Sequence, residues 1–97
     1  MSTYLLGVDV GTSACKVALF SENGAVLAQC LREYPVYYPN AGWAEQNPED
    51  WWQGVRQAIR STLEKSGVHA GDIAGIGVDG QSWSAIAVDS QGEALCP

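Results

Sequence analysis

The chain has 97 residues, with 5 Lys or Arg against 11 Asp or Glu and a formal charge of -6. A chain of this length builds one domain with a modest core, burying roughly 60–65% of its extended surface. The acidic balance argues against broad binding to nucleic acid or to anionic membrane, both of which need a positive surface. No apolar run reaches bilayer length, and the first residues lack the basic and long apolar segments of a signal peptide, so a cytoplasmic protein is expected.

Tyr4–Val10 reads as a buried strand with Asp9 at its exit. Gly11 then opens the way to a tight turn, including one with positive φ, and Thr12 and Ser13 add hydroxyls beside backbone N–H groups able to face a phosphate. A second apolar strand, Cys15–Phe20, follows at once. Two readings stand at this point. The turn is a phosphate and metal cradle in which Asp9 helps organise hydrated Mg²⁺, or it is a plain hairpin approach with Asp9 as an Asx-type cap. The stretch has neither the Gly-Lys-Ser/Thr of a Walker loop nor the G-x-G-x-x-G of a dinucleotide turn. Lys16 either approaches phosphate or sits in solvent at a sheet end.

Ser21-Glu22-Asn23-Gly24 carries the Asn-Gly signal of an antiparallel hairpin leading into a third strand, Ala25–Tyr34. Pairing Phe20 with Ala25 puts Cys15 opposite Cys30. It also groups Cys15, Val17 and Leu19 with Val26, Ala28 and Cys30 on one apolar face. The other face, with Lys16, Ala18, Phe20, Ala25, Leu27 and Gln29, is nearly as apolar, so a sheet covered on both sides is expected. Cys15, Cys30 and Cys96 have no metal-ligand spacing, and their odd number argues against a disulfide framework. Cys15 and Cys30 read as small buried hydrophobes that an oxidising environment could pair.

Residues 34–46 read as irregular, interrupted by Pro35 and Pro39. A helix then begins at Asn47 as N-cap, with Pro48 at N1 and Glu49 and Asp50 in the first turn, Asp50 placed to close a capping box. Trp52, Val55, Ile59 and Leu63, widened by Trp51 and Ala58, form its apolar face, with the indoles as anchors. Gln53, Gln57, Arg60 and Glu64 face water, and Ser66-Gly67 ends the helix. His69 follows alone and reads as an exposed loop residue without metal partners.

Ile73–Val78 is a further strand ending in Asp79-Gly80-Gln81, and Ser84–Val88 another before the turn Asp89–Gly92. Gly77-Val78-Asp79 echoes Gly7-Val8-Asp9. If the two strands are parallel neighbours joined through the helix, both acidic loops emerge at one sheet edge, where ligands of α/β folds collect. The order is βββαββ, mixed α/β.

The chain resembles the amino-terminal part of the FGGY carbohydrate kinase family, nearest its xylulokinase-like, pentulose kinase branch. The resemblance rests on Leu6-Gly7-Val8-Asp9-Val10-Gly11-Thr12-Ser13, on Gly42-Trp43-Ala44-Glu45-Gln46-Asn47-Pro48 with Trp51-Trp52, and on Ile76-Gly77-Val78-Asp79-Gly80-Gln81, in that order. It implies a ribonuclease H-like, actin-like ATPase fold with two large domains and ATP in the cleft between them. Residues 1–97 are then a partial N-terminal FGGY kinase domain, with the rest of domain I, all of domain II, the general-base aspartate and the adenosine site beyond Pro97.

The resemblance further implies that Asp9 serves Mg²⁺ through water while Gly11, Thr12 and Ser13 shape the phosphate turn. Gln81, Ser82 and Trp83 correspond to the sugar-contacting loop. The xylulokinase-like branch has Met-His where this chain has Ser82-Trp83, which leaves the sugar open, and Trp83 is either an apolar wall or core beside Ile86. Asp79 is expected to orient its loop through backbone N–H bonds. Glu45 and Gln46 tie the long loop to the domain edge, with Trp43 packed beneath. The implied activity is ATP-dependent phosphorylation of a sugar hydroxyl, most readily D-xylulose or a related ketopentose, by the full-length protein. Its partners are the sugar and ATP, with neither nucleic acid nor membrane and with room for a homodimer. The competing reading is a non-catalytic actin-like nucleotide-sensing or protein-interaction module.

Overall fold

The structure, a computed structural model, describes residues 3–81 and 86–95. It contains β1 (Tyr4–Val10), β2 (Ala14–Ser21), β3 (Val26–Glu33), α1 (Pro48–Ser66), a 3-10 turn at Ala70–Asp72 and β4 (Ile73–Gly80). The four strands form one sheet in the order β3-β2-β1-β4. The pairs β1/β2 and β2/β3 are antiparallel, and β1/β4 is parallel, the crossover running through α1. The expected last strand is described only from Ile86 onward. Ser84 and Ala85 lie outside the described residues, Ile86 and Ala87 are not in a strand, and Val88 makes a single antiparallel bridge to Ala94.

The β2/β3 hairpin corrects the expected register. Gly24, at φ 92, closes the turn with its N–H on Ser21 O at 3.0 Å, and Ser21 N–H bonds Ala25 O at 2.9 Å. Phe20 therefore pairs with Val26, and an irregularity after Leu19 leaves Leu27 as an extra residue before Ala28. Cys15 lies opposite Arg32 and Cys30 opposite Val17, so the expected Cys15/Cys30 pairing does not form, and both are free thiols. The turn and the bulge each consume one residue. The two slips cancel in parity, which keeps Ala28 and Cys30 on the Cys15 face but moves Val26 to the Phe20 face.

Leu6, Val8, Cys15, Val17, Leu19, Tyr34 and Ala58 are the buried core, between the sheet and α1. The helix ends follow local chemistry. Asn47 Oδ1 accepts from Glu49 N–H at 3.0 Å, and Gly67, left-handed at φ 72, returns its N–H to Leu63 O. The expected capping box is replaced, because the Asp50 carboxylate accepts from the Tyr37 hydroxyl at 3.1 Å.

The helix face also differs from expectation. Its buried stripe is Gly54, Ala58 and Thr62, flanked by Trp51, Val55 and Ile59. Trp52 is 57% exposed, with the Arg56 guanidinium 6.0 Å from its ring centroid. Close approach explains the change. A Cβ on Gly54 would stand 3.3 Å from the Tyr34 ring and 3.4 Å from Cys15 Sγ, so small residues meet the sheet at the centre of the stripe, while the Trp51 indole packs at its flank. Thr62 satisfies its buried hydroxyl on Ala58 O at 2.7 Å.

The helix covers one face only. On the other, Asp9, Lys16, Phe20, Val26 and Asp79 line an open groove of about 520 Å³, and none of the described elements lies over it, contrary to the expectation of a sheet covered twice. Trp43, expected to pack under the long loop, is 56% exposed. No described helix is long and apolar enough to cross a membrane.

Candidate functional site

Parallel pairing sets Gly7-Val8-Asp9 row for row against Gly77-Val78-Asp79, so the sequence echo becomes a spatial one. Both strands end at the same sheet edge, and Asp9 and Asp79 stand side by side on the open face. Lys16 is the register partner of Asp9 on β2. The Asp79 carboxyl hydrogen-bonds Asp9 and feels its charge, and these two effects hold it above the usual carboxylate range. The structure sets the Asp79 carboxyl against Asp9, and residues 82–85 of the loop that Asp79 was expected to orient lie outside the described residues. Among the described residues no third His, Cys, Asp or Glu joins the pair.

Between β1 and β2 the chain turns through Gly11–Ser13. Gly11 does not have the positive φ that was left open for it. Glycine is needed there because its N–H bonds Ala14 O at 2.9 Å, and a Cβ would lie 2.8 Å from that same oxygen. Four successive carbonyls are then taken up by the protein. Val10 O accepts from Gln81 N–H at 3.0 Å, and Ser13 O accepts from Tyr34 N–H at 3.1 Å. Gly11 O accepts from the Tyr34 hydroxyl, and Thr12 O from Gln46 Nε2. Burial, followed by the charges of Cys15 and Asp9, pushes the Tyr34 phenol up, so it stays a protonated donor.

Because each peptide unit is planar and trans, its N–H points away from its carbonyl. Pinning Gly11 O and Thr12 O turns the N–H groups of Thr12 and Ser13 the other way, and among the described residues neither has a hydrogen-bond partner. Such an arrangement of free backbone N–H groups, beside two carboxyls, suits phosphate oxygens and a hard cation together.

Asp9, Gly11, Thr12, Ser13 and Gln81 thus converge at one edge. Gln81 is anchored by its backbone to Val10, and its Nε2 donates to Gln46 Oε1 at 3.1 Å. Ser82 and Trp83 lie outside the described residues. Glu45 ties the long loop by backbone bonds to Tyr37, whereas Gln46 reaches the turn itself. Tyr34 was not singled out from the sequence. Its only signal there is an aromatic at the end of a strand whose face is otherwise turning polar. His69 is exposed, and among the described residues it belongs to no metal-ligating group.

A mixed sheet with a parallel β1/β4 pair, a crossover helix on one face and acidic turns at a common edge is the amino-terminal part of a ribonuclease H-like, actin-like kinase domain. The chain belongs to the FGGY family of carbohydrate kinases, and residues 4–97 match that family's N-terminal domain. It is 40% identical over 92 residues to a xylulose kinase of Bacillus subtilis, covering 95% of this chain and 18% of the relative. It is 43% identical over 79 residues to a glycerol kinase of Afipia carboxidovorans, covering 81% of this chain and 16% of the relative. The fold superposes on the crystal structure of a gluconate kinase from Lactobacillus acidophilus with a TM-score of 0.87 at 33% identity, covering 98% of this chain and 19% of that one. The chain therefore spans less than a fifth of the length of these two curated relatives.

Proposed function

We propose that the protein carrying this segment transfers the γ-phosphoryl group of ATP to a hydroxyl of a sugar or polyol, with D-xylulose or a related ketopentose as the favoured acceptor. The observation that carries this reading is the turn in which the carbonyls of Val10, Gly11, Thr12 and Ser13 are all bonded inward, leaving the Thr12 and Ser13 N–H groups outward. Those two N–H groups bind phosphate oxygens, with Gly11 giving the turn its close approach to Ala14.

Asp9 holds hydrated Mg²⁺ through water, and Asp79 beside it adds a second carboxylate. This donor set fits an ion that is held by one or two carboxylates together with phosphate and water. Held by these carboxylates, Mg²⁺ would supply positive charge against the negative charge that develops on the phosphate. Gln81 faces the acceptor, with Ser82 and Trp83 following it in the chain. The remainder of domain I, all of domain II, the general base and the adenosine site belong to the part of the protein beyond Pro97.

The xylulose kinase relative supports a ketopentose, and the glycerol kinase relative at similar identity supports a shorter polyol as the second reading. One experiment separates them. The full-length protein is assayed for ATP-dependent phosphorylation of D-xylulose, L-xylulose, D-ribulose, L-ribulose, gluconate and glycerol, beside its Asp9→Ala variant. The expected result is highest kcat/KM on D-xylulose, and a fall in kcat of about 10²–10³ in a folded Asp9→Ala protein, the scale seen when one preorganised charge-stabilising group is removed. Glycerol as the best acceptor would replace the ketopentose assignment. No turnover on any acceptor would favour a nucleotide-binding module without catalysis.

A further inference from the structure

Gln46 lies 34 residues from Thr12 and 35 from Gln81, yet its side chain touches both. Its Nε2 donates to Thr12 O, and its Oε1 accepts from Gln81 Nε2 at 3.1 Å. The primary amide supplies the donor and the acceptor from one planar group. A carboxylate can accept only, and a thioether does neither usefully. The contact to Thr12 O fixes the plane of the Thr12–Ser13 peptide, and with it the direction of the Ser13 N–H. The contact from Gln81 fixes Gln46 in turn. Gln81 itself is held at the exit of β4 by its N–H on Val10 O.

We infer that Gln46 is a positioning residue that couples the exit loop of β4 to the turn at residues 11–13, aiming the Ser13 N–H at phosphate only while Gln81 is in place. The inference rests on the phosphate reading of that turn and goes beyond it, because it makes occupancy on the acceptor side felt on the phosphate side. A shift of Gln81 as the acceptor binds reaches the Thr12–Ser13 peptide through one amide. ATP and acceptor therefore bind with positive linkage, each raising the affinity for the other by the same factor.

The test uses the full-length protein with Gln46→Met, which keeps side-chain length without donor or acceptor, and Gln46→Glu. The first readout is hydrogen exchange of the Gly11 and Tyr34 amides, which bond Ala14 O and Ser13 O across the turn, and it needs no activity. Faster exchange there in Gln46→Met, with an unchanged unfolding midpoint, is expected. Unchanged exchange overturns the inference, whether or not the wild type is a kinase. The second readout is kinetic. Gln46→Met is expected to lose roughly tenfold in kcat/KM for ATP, on the scale of one lost hydrogen bond to a positioned group. It is also expected to lose the effect of D-xylulose on the affinity for a non-hydrolysable ATP analogue.

The third readout is a pH profile. Gln46→Glu faces Thr12 O with a carboxylate at neutral pH but can donate once protonated. Its activity relative to wild type is therefore expected to recover as pH falls toward the carboxylate range, whereas that of Gln46→Met stays flat. An active wild type whose ATP kinetics and linkage survive in Gln46→Met overturns the inference and leaves the kinase reading intact. A wild type inactive on every acceptor overturns the kinase reading, while the exchange data still decide whether Gln46 holds the turn.

Discussion

Asp79 holds its proton more tightly in the folded chain than an isolated aspartate does, because Asp9 shares a hydrogen bond with it and repels its negative form. A carboxyl whose folded pKa exceeds its unfolded value, about 3.9, binds more protons in the folded state across that window. Its contribution is therefore most favourable at low pH and is lost as pH rises through the folded value. Asp79→Asn keeps the shape and a donor toward Asp9 while removing the charge. In buffer containing a chelator, the urea midpoint of the wild type should fall relative to Asp79→Asn between about pH 4 and pH 7. Parallel curves would show that the two carboxyls do not interact, and full solvent exposure of Asp79 keeps the expected separation small. The pair itself was legible in the sequence, since Gly-Val-Asp recurs and parallel pairing maps one copy onto the other. The clamp on the turn was not. It depends on Tyr34 and Gln46, whose reach is set by the way residues 35–46 fold back through the bridge between Tyr37 and Glu45.

At the level of elements, the ends of α1 were legible, because Asn47, Pro48 and Gly67 act through chemistry confined to one turn. Its buried face was legible in Trp51, Val55, Ala58 and Ile59 but not at its centre, because periodicity favours large apolar residues such as Trp52 while the spacing between helix and sheet selects Gly54 and Thr62. Gly54 shows the difference. A Cβ there already meets Tyr34 and Cys15 at van der Waals contact or closer, so a branched side chain must push the helix off β2 and β3. Gly54→Leu should cost about 1–3 kcal/mol of stability, the usual range for overpacking a core, despite leucine's better helix propensity. Chemical denaturation of the full-length protein measures this, and a neutral result would mean that α1 lies farther from the sheet. The displaced Tyr34 ring also carries the hydroxyl that holds Gly11 O, so the same variant should lose order in the turn at residues 11–13 before it loses its fold. The hairpin register was missed for a comparable reason. Turn type and bulge position are set by hydrogen bonds at Ser21, Gly24 and Ala25, which the strand pattern does not record.

For the whole molecule, the decisive facts are that the chain spans 18% of its xylulose kinase relative and that its site opens on an uncovered sheet face. Asp9 and Asp79 line an open groove of about 520 Å³, the turn at residues 11–13 follows Asp9 at the edge of the same sheet, and none of the described elements lies over the groove. Phosphoryl transfer to a sugar rather than to water needs a site that excludes solvent and holds the acceptor hydroxyl in line with the phosphate. A single wall can bind phosphate weakly but cannot meet either requirement. Residues 1–97 produced alone should therefore yield no sugar phosphate, and should not raise ATP hydrolysis above background, under conditions in which the full-length protein turns over. Both products are followed in one coupled assay with D-xylulose present. The control is the same segment carrying Asp9→Ala, since contaminating kinase would survive that substitution. Turnover by the wild-type segment that vanishes in its Asp9→Ala form would overturn the expectation and place the whole catalytic apparatus within these residues.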